Sequence, residues 1–267
     1  MYIGNKLFDF DNKAFIMGIL NVTPDSFSDG GKFNNIDDAL KRVDKMLKDG
    51  ASIIDIGGES TRPGYEMISD EEEIERIVPV IEKVKSNFDC VISTDTYKAN
   101  VLSAAIDAGC DLANDIWGLK YDNEYANVVA KGNIPVCIMH NGDGKYNSFV
   151  DDVIRQLNES INIALNAGID RDKIILDPGV GFAKSYEENL KIIKDVDRIC
   201  DMGYPVLLGT SRKSVIGLTL DLPVTERLEG TIATTVMGYL KGCRIFRVHD
   251  VLENKRALDM AEAIYNS

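Results

Sequence analysis

Acids, amides and bases in this 267-residue sequence recur in one kind of place, just after a short apolar run. The run 14–20 leads into Asn21 and a loop reaching Gly31 that contains Asp25, Phe27 and Asp29. The run 52–56 leads into Gly57–Gly64, with Thr61, Arg62 and Pro63. Asp95 follows 90–93, Asn114 follows 111–113, and His140 follows 135–139. Asp177 to Phe182 follows 173–176, and Gly209 to Ser214, with Lys213, follows 205–208. The last run, 244–248, contains Arg247 and is followed by His249. An ionised aspartate only accepts hydrogen bonds, whereas an asparagine both donates and accepts. Arg247 and His249 are two residues apart, so on a strand they point to one side, and with Asn21 nearby they can form an anion pocket. Nothing resembles a Ser-His-Asp or Cys-His arrangement, so no covalent nucleophile is expected.

Eight short, β-branched runs separated by helical patterns predict the elements that must position these groups. Helical periodicity is clear over 36–48, 70–84, 150–167, 187–200 and 253–265. Gly50, Gly109, Gly132, Gly168, Gly203 and Gly242 fall where helix-terminating glycines belong. Alternation of this kind over about 250 residues predicts an α/β fold, a (β/α)8 TIM barrel whose chemistry gathers at the C-terminal strand ends. A doubly wound open sheet is the structural alternative, but the Gly-rich phosphate turn it needs after its first strand is missing. Residues 2–10 alternate and predict an N-terminal β-hairpin at the bottom of the barrel. No linker or repeat divides residues 1–267, which predicts one domain.

Composition narrows the function classes. Lys plus Arg total 30 against 43 Asp plus Glu, a net charge of -13. The chain is therefore a poor candidate for binding nucleic acid through a broad basic face, and an anion would need locally concentrated positive groups or a metal. Five scattered cysteines without CxxC spacing argue against a disulfide framework or a zinc site. No signal peptide and no membrane-spanning run is visible, which points to a cytoplasmic protein.

Asn21–Gly31, Gly57–Gly64, Asp177–Phe182 and Ser211–Lys213 closely resemble, in that order, the motifs of the dihydropteroate synthase family. The resemblance runs from about Ile16 to the last helix. It departs after Met139-His140, where Asn141 to Tyr146 replaces a Gln-Gly-containing stretch found in some members. It implies a magnesium-dependent homodimer that joins 6-hydroxymethyl-7,8-dihydropterin diphosphate to 4-aminobenzoate and releases diphosphate. It further implies catalytic roles for Asp95, Asp177, Lys213 and Arg247. Asp95, Asn114 and Asp177 would grip the pterin ring, with Lys213 donating to its acceptor edge and Arg247 stacking on it. Ile116, Met139 and Phe182 would wall the ring, and Gly209 and Thr61 would touch the substrate. Arg247, His249 and Asn21 would face the diphosphate, with Asn21 as the magnesium ligand. Phe27 and Pro63 would clamp the ring of 4-aminobenzoate, whose carboxylate Ser214 would hold, and Arg62 would bind substrate. Loss of diphosphate ahead of amine attack, through a delocalised pterin cation, is the expected course. The rivals are a pterin-dependent methyltransferase, which has no use for the first-loop and Ser-Arg-Lys motifs, and a non-catalytic pterin-binding barrel.

Overall fold

A computed structural model describes residues 1–22, 32–59, 67–265 and 267. Phe27, Thr61, Arg62 and Pro63, with Asp25 and Asp29, lie outside the described residues.

The chain begins with a small antiparallel hairpin, β1 (Tyr2–Ile3) and β2 (Lys6–Leu7). Eight strands follow: β3 (Phe15–Asn21), β4 (Ile53–Gly57), β5 (Val91–Asp95), β6 (Leu112–Asp115), β7 (Val136–Met139), β8 (Ile174–Asp177), β9 (Leu207–Leu208) and β10 (Ile245–Val248). They are parallel, in the spatial order β8-β7-β6-β5-β4-β3-β10-β9. A parallel bridge between Leu176 and Val206 returns β8 to the segment entering β9 and closes the ring. The closure rules out an open doubly wound sheet and gives the (β/α)8 barrel.

Helices alternate with the strands: α1 (Lys32–Lys48), α2 (Asp70–Asn87), α3 (Ala99–Ala108), α4 (Tyr125–Gly132), α5 (Phe149–Asn166), α6 (Tyr186–Lys194), α7 (Asp197–Cys200), α8 (Ser214–Leu220), α9 (Leu228–Leu240) and α10 (Val251–Tyr265). The single helix expected over 187–200 is two: the N–H of Asp195 closes α6 on the Lys191 carbonyl, and a short α7 follows. Gly132 is still helical, and the left-handed cap after α4 is Asn133, at φ 56°. Asparagine tolerates that conformation better than most residues. Leu258 and Ala261 of α10 pack on the barrel, whereas Ile264 is exposed.

Strand alternation divides the apolar residues into two sets. Outward residues such as Ile54, Ile92, Ile138 and Phe246 meet the helices. Inward, each strand gives one residue to a floor: Met17, Ile53, Val91, Leu112, Cys137, Ile175, Leu207 and Ile245. Ile3 and Phe8 from the hairpin segment pack into this floor from below, with Phe10 and Phe15 at its margin. Phe8→Ala should therefore cost about 3 kcal/mol. Urea unfolding checks this: the midpoint should fall while the slope stays constant.

Candidate active site

Two residues above the floor, the inward positions change character. Ile53 is succeeded by Asp55, Leu112 by Asn114, Ile175 by Asp177, Leu207 by Gly209 and Ile245 by Arg247. Val91 is succeeded by Ser93 and then by Asp95. The period of two that makes the floor thus places a polar layer directly on it.

Arg247 organises this layer. Its Nε donates to Asp55 Oδ2 and its Nη2 to Asp95 Oδ2, both at 2.6 Å. Asn114 Nδ2 lies 3.3 Å from Asp55 Oδ2, so β5, β10, β4 and β6 are linked through Asp95, Arg247, Asp55 and Asn114. The guanidinium is first of all the counter-ion of two buried carboxylates, and Asp55 and Asp95 hold it protonated well above the ordinary range against the pull of burial. Asp55 is fully buried and was not singled out from sequence. The available signal was an acid alone in the apolar stretch Ile53-Ile54-Asp55-Ile56, on the same face as Ile53.

Asp95 keeps one oxygen uncommitted: Oδ1 is buried and has no hydrogen-bond partner among the described residues. Burial pushes the Asp95 carboxyl up to about 7, although Arg247 pulls it down. On β8, Asp177 Oδ1 accepts from the N–H of Gly179 at 2.7 Å, which fixes the turn after the strand. Burial also raises Asp177, and Lys213 opposes that rise. A Cβ on Gly209 would lie 3.9 Å from both Arg247 Cβ and Asp177 Oδ2, so the missing side chain leaves the space between them clear.

Lys213 precedes α8. Its Nζ donates to the Val180 carbonyl and lies 4.7 Å from the centre of the Phe182 ring. Burial pulls Lys213 down to about 8, against the attraction of Asp177. Ile116, Met139 and Phe182 gather as expected, in one apolar cluster that also includes Tyr97 and Trp117. His249 lies just beyond β10, and its Nδ1 is 2.9 Å from Ser211 Oγ. Ser211 Oγ also accepts from the His249 N–H at 3.1 Å. The hydroxyl thus ties both the backbone and the ring of His249 to the loop after β9. Neither Ser211 nor Ser214 caps α8: the cap residue is Lys213, and Ser214 is the exposed first residue of the helix. Asn21 ends β3 opposite Gly57, half-buried at the same end of the barrel.

A second buried polar cluster was also missed. Lys98 Nζ reaches Glu59 Oε2 at 2.7 Å, Glu73 Oε2 at 2.8 Å and the Ile68 carbonyl at 2.8 Å. Tyr97 donates to Glu59 Oε1 at 2.6 Å. Each partner looks like an ordinary surface charge in the sequence, and only the fold brings them together.

The chain matches the model of the pterin binding enzymes over residues 17–249. A dihydropteroate synthase from Clostridium beijerinckii is 58% identical over 266 residues, covering 99% of each chain. One from Bacillus subtilis is 51% identical, covering 96% of this chain and 90% of that one. Among solved structures, a Clostridium difficile dihydropteroate synthase determined in the presence of pteroic acid superposes with a TM-score of 0.95 at 50% identity, covering 98% of this chain and all of that one. A Xanthomonas albilineans enzyme with 4-aminobenzoic acid gives a TM-score of 0.94 at 38% identity, covering 99% and 97%. With the family match over most of its length and relatives of this identity along almost the whole chain, the protein belongs to the pterin binding enzymes, among the dihydropteroate synthases.

Proposed function

We propose that this protein condenses 6-hydroxymethyl-7,8-dihydropterin diphosphate with 4-aminobenzoate, giving 7,8-dihydropteroate and diphosphate. The observation that carries the reading is the Asp95–Arg247–Asp55–Asn114 chain beside Asp177 and Lys213, with Asp95 Oδ1 buried and unpartnered. A pterin presents an aminopyrimidinone edge rich in N–H donors, and acceptors from three strands suit it. Lys213 donates to the ring's acceptor edge, while Phe182, Met139 and Ile116 cover its faces.

The reacting bond joins the pterin methylene to diphosphate. Carbon–oxygen cleavage leaves positive charge spread over the ring and negative charge on the diphosphate. Asp95 and Asp177 favour the ring charge from positions fixed before reaction. Arg247 and the imidazole of His249 favour the departing anion. The aniline nitrogen then bonds to the methylene carbon and gives up one of its two protons to the released diphosphate or to water, with Ser214 near the carboxylate of the incoming ring.

Magnesium fits this donor set in one particular way. Among the described residues no group of three or more His, Cys, Asp or Glu can hold a metal. Asn21 offers a single amide oxygen, which suits a cation that keeps its waters and takes phosphate oxygens. Asn21 would hold it, and when bound it supplies charge neutralisation to the diphosphate. The homodimer that the resemblance implies has apolar side chains to cover, among them exposed Leu218 and Leu220 of α8, Met237 and Leu240 of α9 and Ile264 and Tyr265 of α10. The acidic chain acts in the cytoplasm; among the described residues no helix is long and apolar enough to cross a membrane.

Incubation with magnesium, the pterin diphosphate and 4-aminobenzoate tests the reaction. Diphosphate should appear in step with dihydropteroate. Pterin binding without turnover would favour the non-catalytic barrel, and methyl transfer from a methylated pterin would favour the methyltransferase.

The two ionisations set a pH profile. Asp95 must be charged to accept, so activity should fall as pH drops through about 7. Lys213 must be charged to donate, so it should fall again as pH rises through about 8. A bell-shaped kcat/KM for the pterin diphosphate is expected, because that parameter reports the free enzyme. Asp95→Asn should erase the acid limb, and Lys213→Arg should shift the alkaline limb upward.

A further inference from the structure

Lys184 takes no part in the scheme above, yet its partly buried Nζ has three acceptors within 3.0 Å. The loop from Asp177 to α6 turns through Gly179, Gly181 and Ala183, all at positive φ. A Cβ on Gly179 would meet the His140 carbonyl oxygen at 1.9 Å, so this loop and the one after β7 touch backbone to backbone. The folded loop aims its carbonyls at one point, and the Lys184 ammonium sits there. Its Nζ donates to Gly179 O at 2.9 Å, Phe182 O at 3.0 Å and His140 Nδ1 at 2.8 Å, with His140 O at 3.4 Å.

An ammonium in such a place is held by its acceptors. Burial pulls Lys184 down to about 7, opposed by Asp177. Burial, with the charge of Lys184, takes the His140 imidazole down to about 3, so the ring is neutral and Nδ1 is an acceptor. The loop so fixed carries Asp177 at its start, Val180, whose carbonyl receives Lys213, and Phe182, whose ring lies under Lys213.

We propose that Lys184 is a positioning residue for the pterin site: by gathering the carbonyls of Gly179 and Phe182 and bonding His140, it sets Phe182 and, through Val180, Lys213 in their working places. The proposal rests on the pterin reading given above. It predicts an effect confined to one substrate, since residues meeting 4-aminobenzoate are carried by other loops.

The test compares wild type, Lys184→Met, Lys184→Gln, Phe182→Ala and the Lys184→Met/Phe182→Ala pair. The readouts are binding of 6-hydroxymethylpterin by calorimetry, the two KM values and thermal melting. Lys184→Met should weaken pterin binding about tenfold, the loss of roughly one hydrogen bond from a charged donor. KM for 4-aminobenzoate should stay within about twofold, and Lys184→Gln, which keeps a donor, should recover part of the pterin affinity. Because one of the two routes from Lys184 runs through Phe182, the loss in the pair should fall clearly short of the sum of the two single losses. Additive losses in the pair, or equal losses for both substrates that follow the melting temperature across the variants, would overturn the proposal. Wild-type protein that binds no pterin would instead sink the reading beneath it. If Lys184→Met does not fold, Lys184→Gln alone decides: unchanged pterin affinity in it counts against the positioning role.

Discussion

Replacing Asp95 by asparagine should lower kcat/KM for the pterin diphosphate about 100-fold, with little change in the melting temperature. The reason lies in what each oxygen does. Oδ2 pairs with Arg247 at 2.6 Å, and Oδ1 is buried without a partner, ready for the substrate's N–H groups. A hydrogen bond to a charged acceptor contributes about 1.5–3 kcal/mol, and leaving a buried donor unpaired costs a similar amount. Each 1.36 kcal/mol is a tenfold change in rate, so the loss reaches about two decades. The amide is nearly isosteric, and Asp55 remains to balance Arg247, so the fold should tolerate it. Steady-state kinetics with each substrate varied in turn provides the check. A fall in kcat/KM below about threefold would show that Asp95 does not hold the pterin.

Lys98→Met should destabilise the protein by about 3–5 kcal/mol, because it strands two buried carboxylates. Glu59 and Glu73 are both almost wholly inside, and Lys98 pairs with each within 2.8 Å. For a chain of this size the melting temperature should fall by roughly 10 °C. Burial already raises Glu73 above the ordinary carboxylate range, against the pull of Lys98. Without the ammonium it should rise further. A carboxyl whose folded pKa is raised stabilises the fold while protonated, and that contribution disappears as pH rises. The deficit of the variant should therefore widen from pH 5 to pH 8. Adding Glu59→Gln and Glu73→Gln should recover most of the loss, since neutral amides require no counter-ion. The damage would not stay remote from the mouth. Glu59 and Ile68 flank residues 60–66, and Lys98 binds both, while Glu59 Oε2 accepts from the Ile68 N–H at 3.2 Å.

The barrel was legible because strand and helix periods alternate cleanly, and because turn residues mark nearly every boundary. Strand limits were read slightly early. Asn21, Asp95, Asn114, Asp115 and Asp177 end their strands rather than follow them, since polar side chains suggest a loop while their backbone groups remain in the ladder. Three pterin-site candidates, Asp95, Asn114 and Asp177, stand at one mouth, as the motifs implied. Asp55 escaped notice because a single acid inside an apolar strand has no local partner to announce it. Lys184 and Lys98 escaped for the same reason, as their acceptors come from distant loops and from backbone carbonyls. Arg247 was expected to serve an anion, and its two aspartate partners were visible only once β10 closed against β3 and faced β4 and β5 across the interior.

The hairpin beneath the barrel has a bearing on catalysis. With Ile3 and Phe8 sealing one end, the interior is a cul-de-sac, and everything that enters must pass the same rim. The occupant that goes deepest has to arrive first. Kinetics should therefore be sequential with a fixed order, the bicyclic ring lodging ahead of the arylamine.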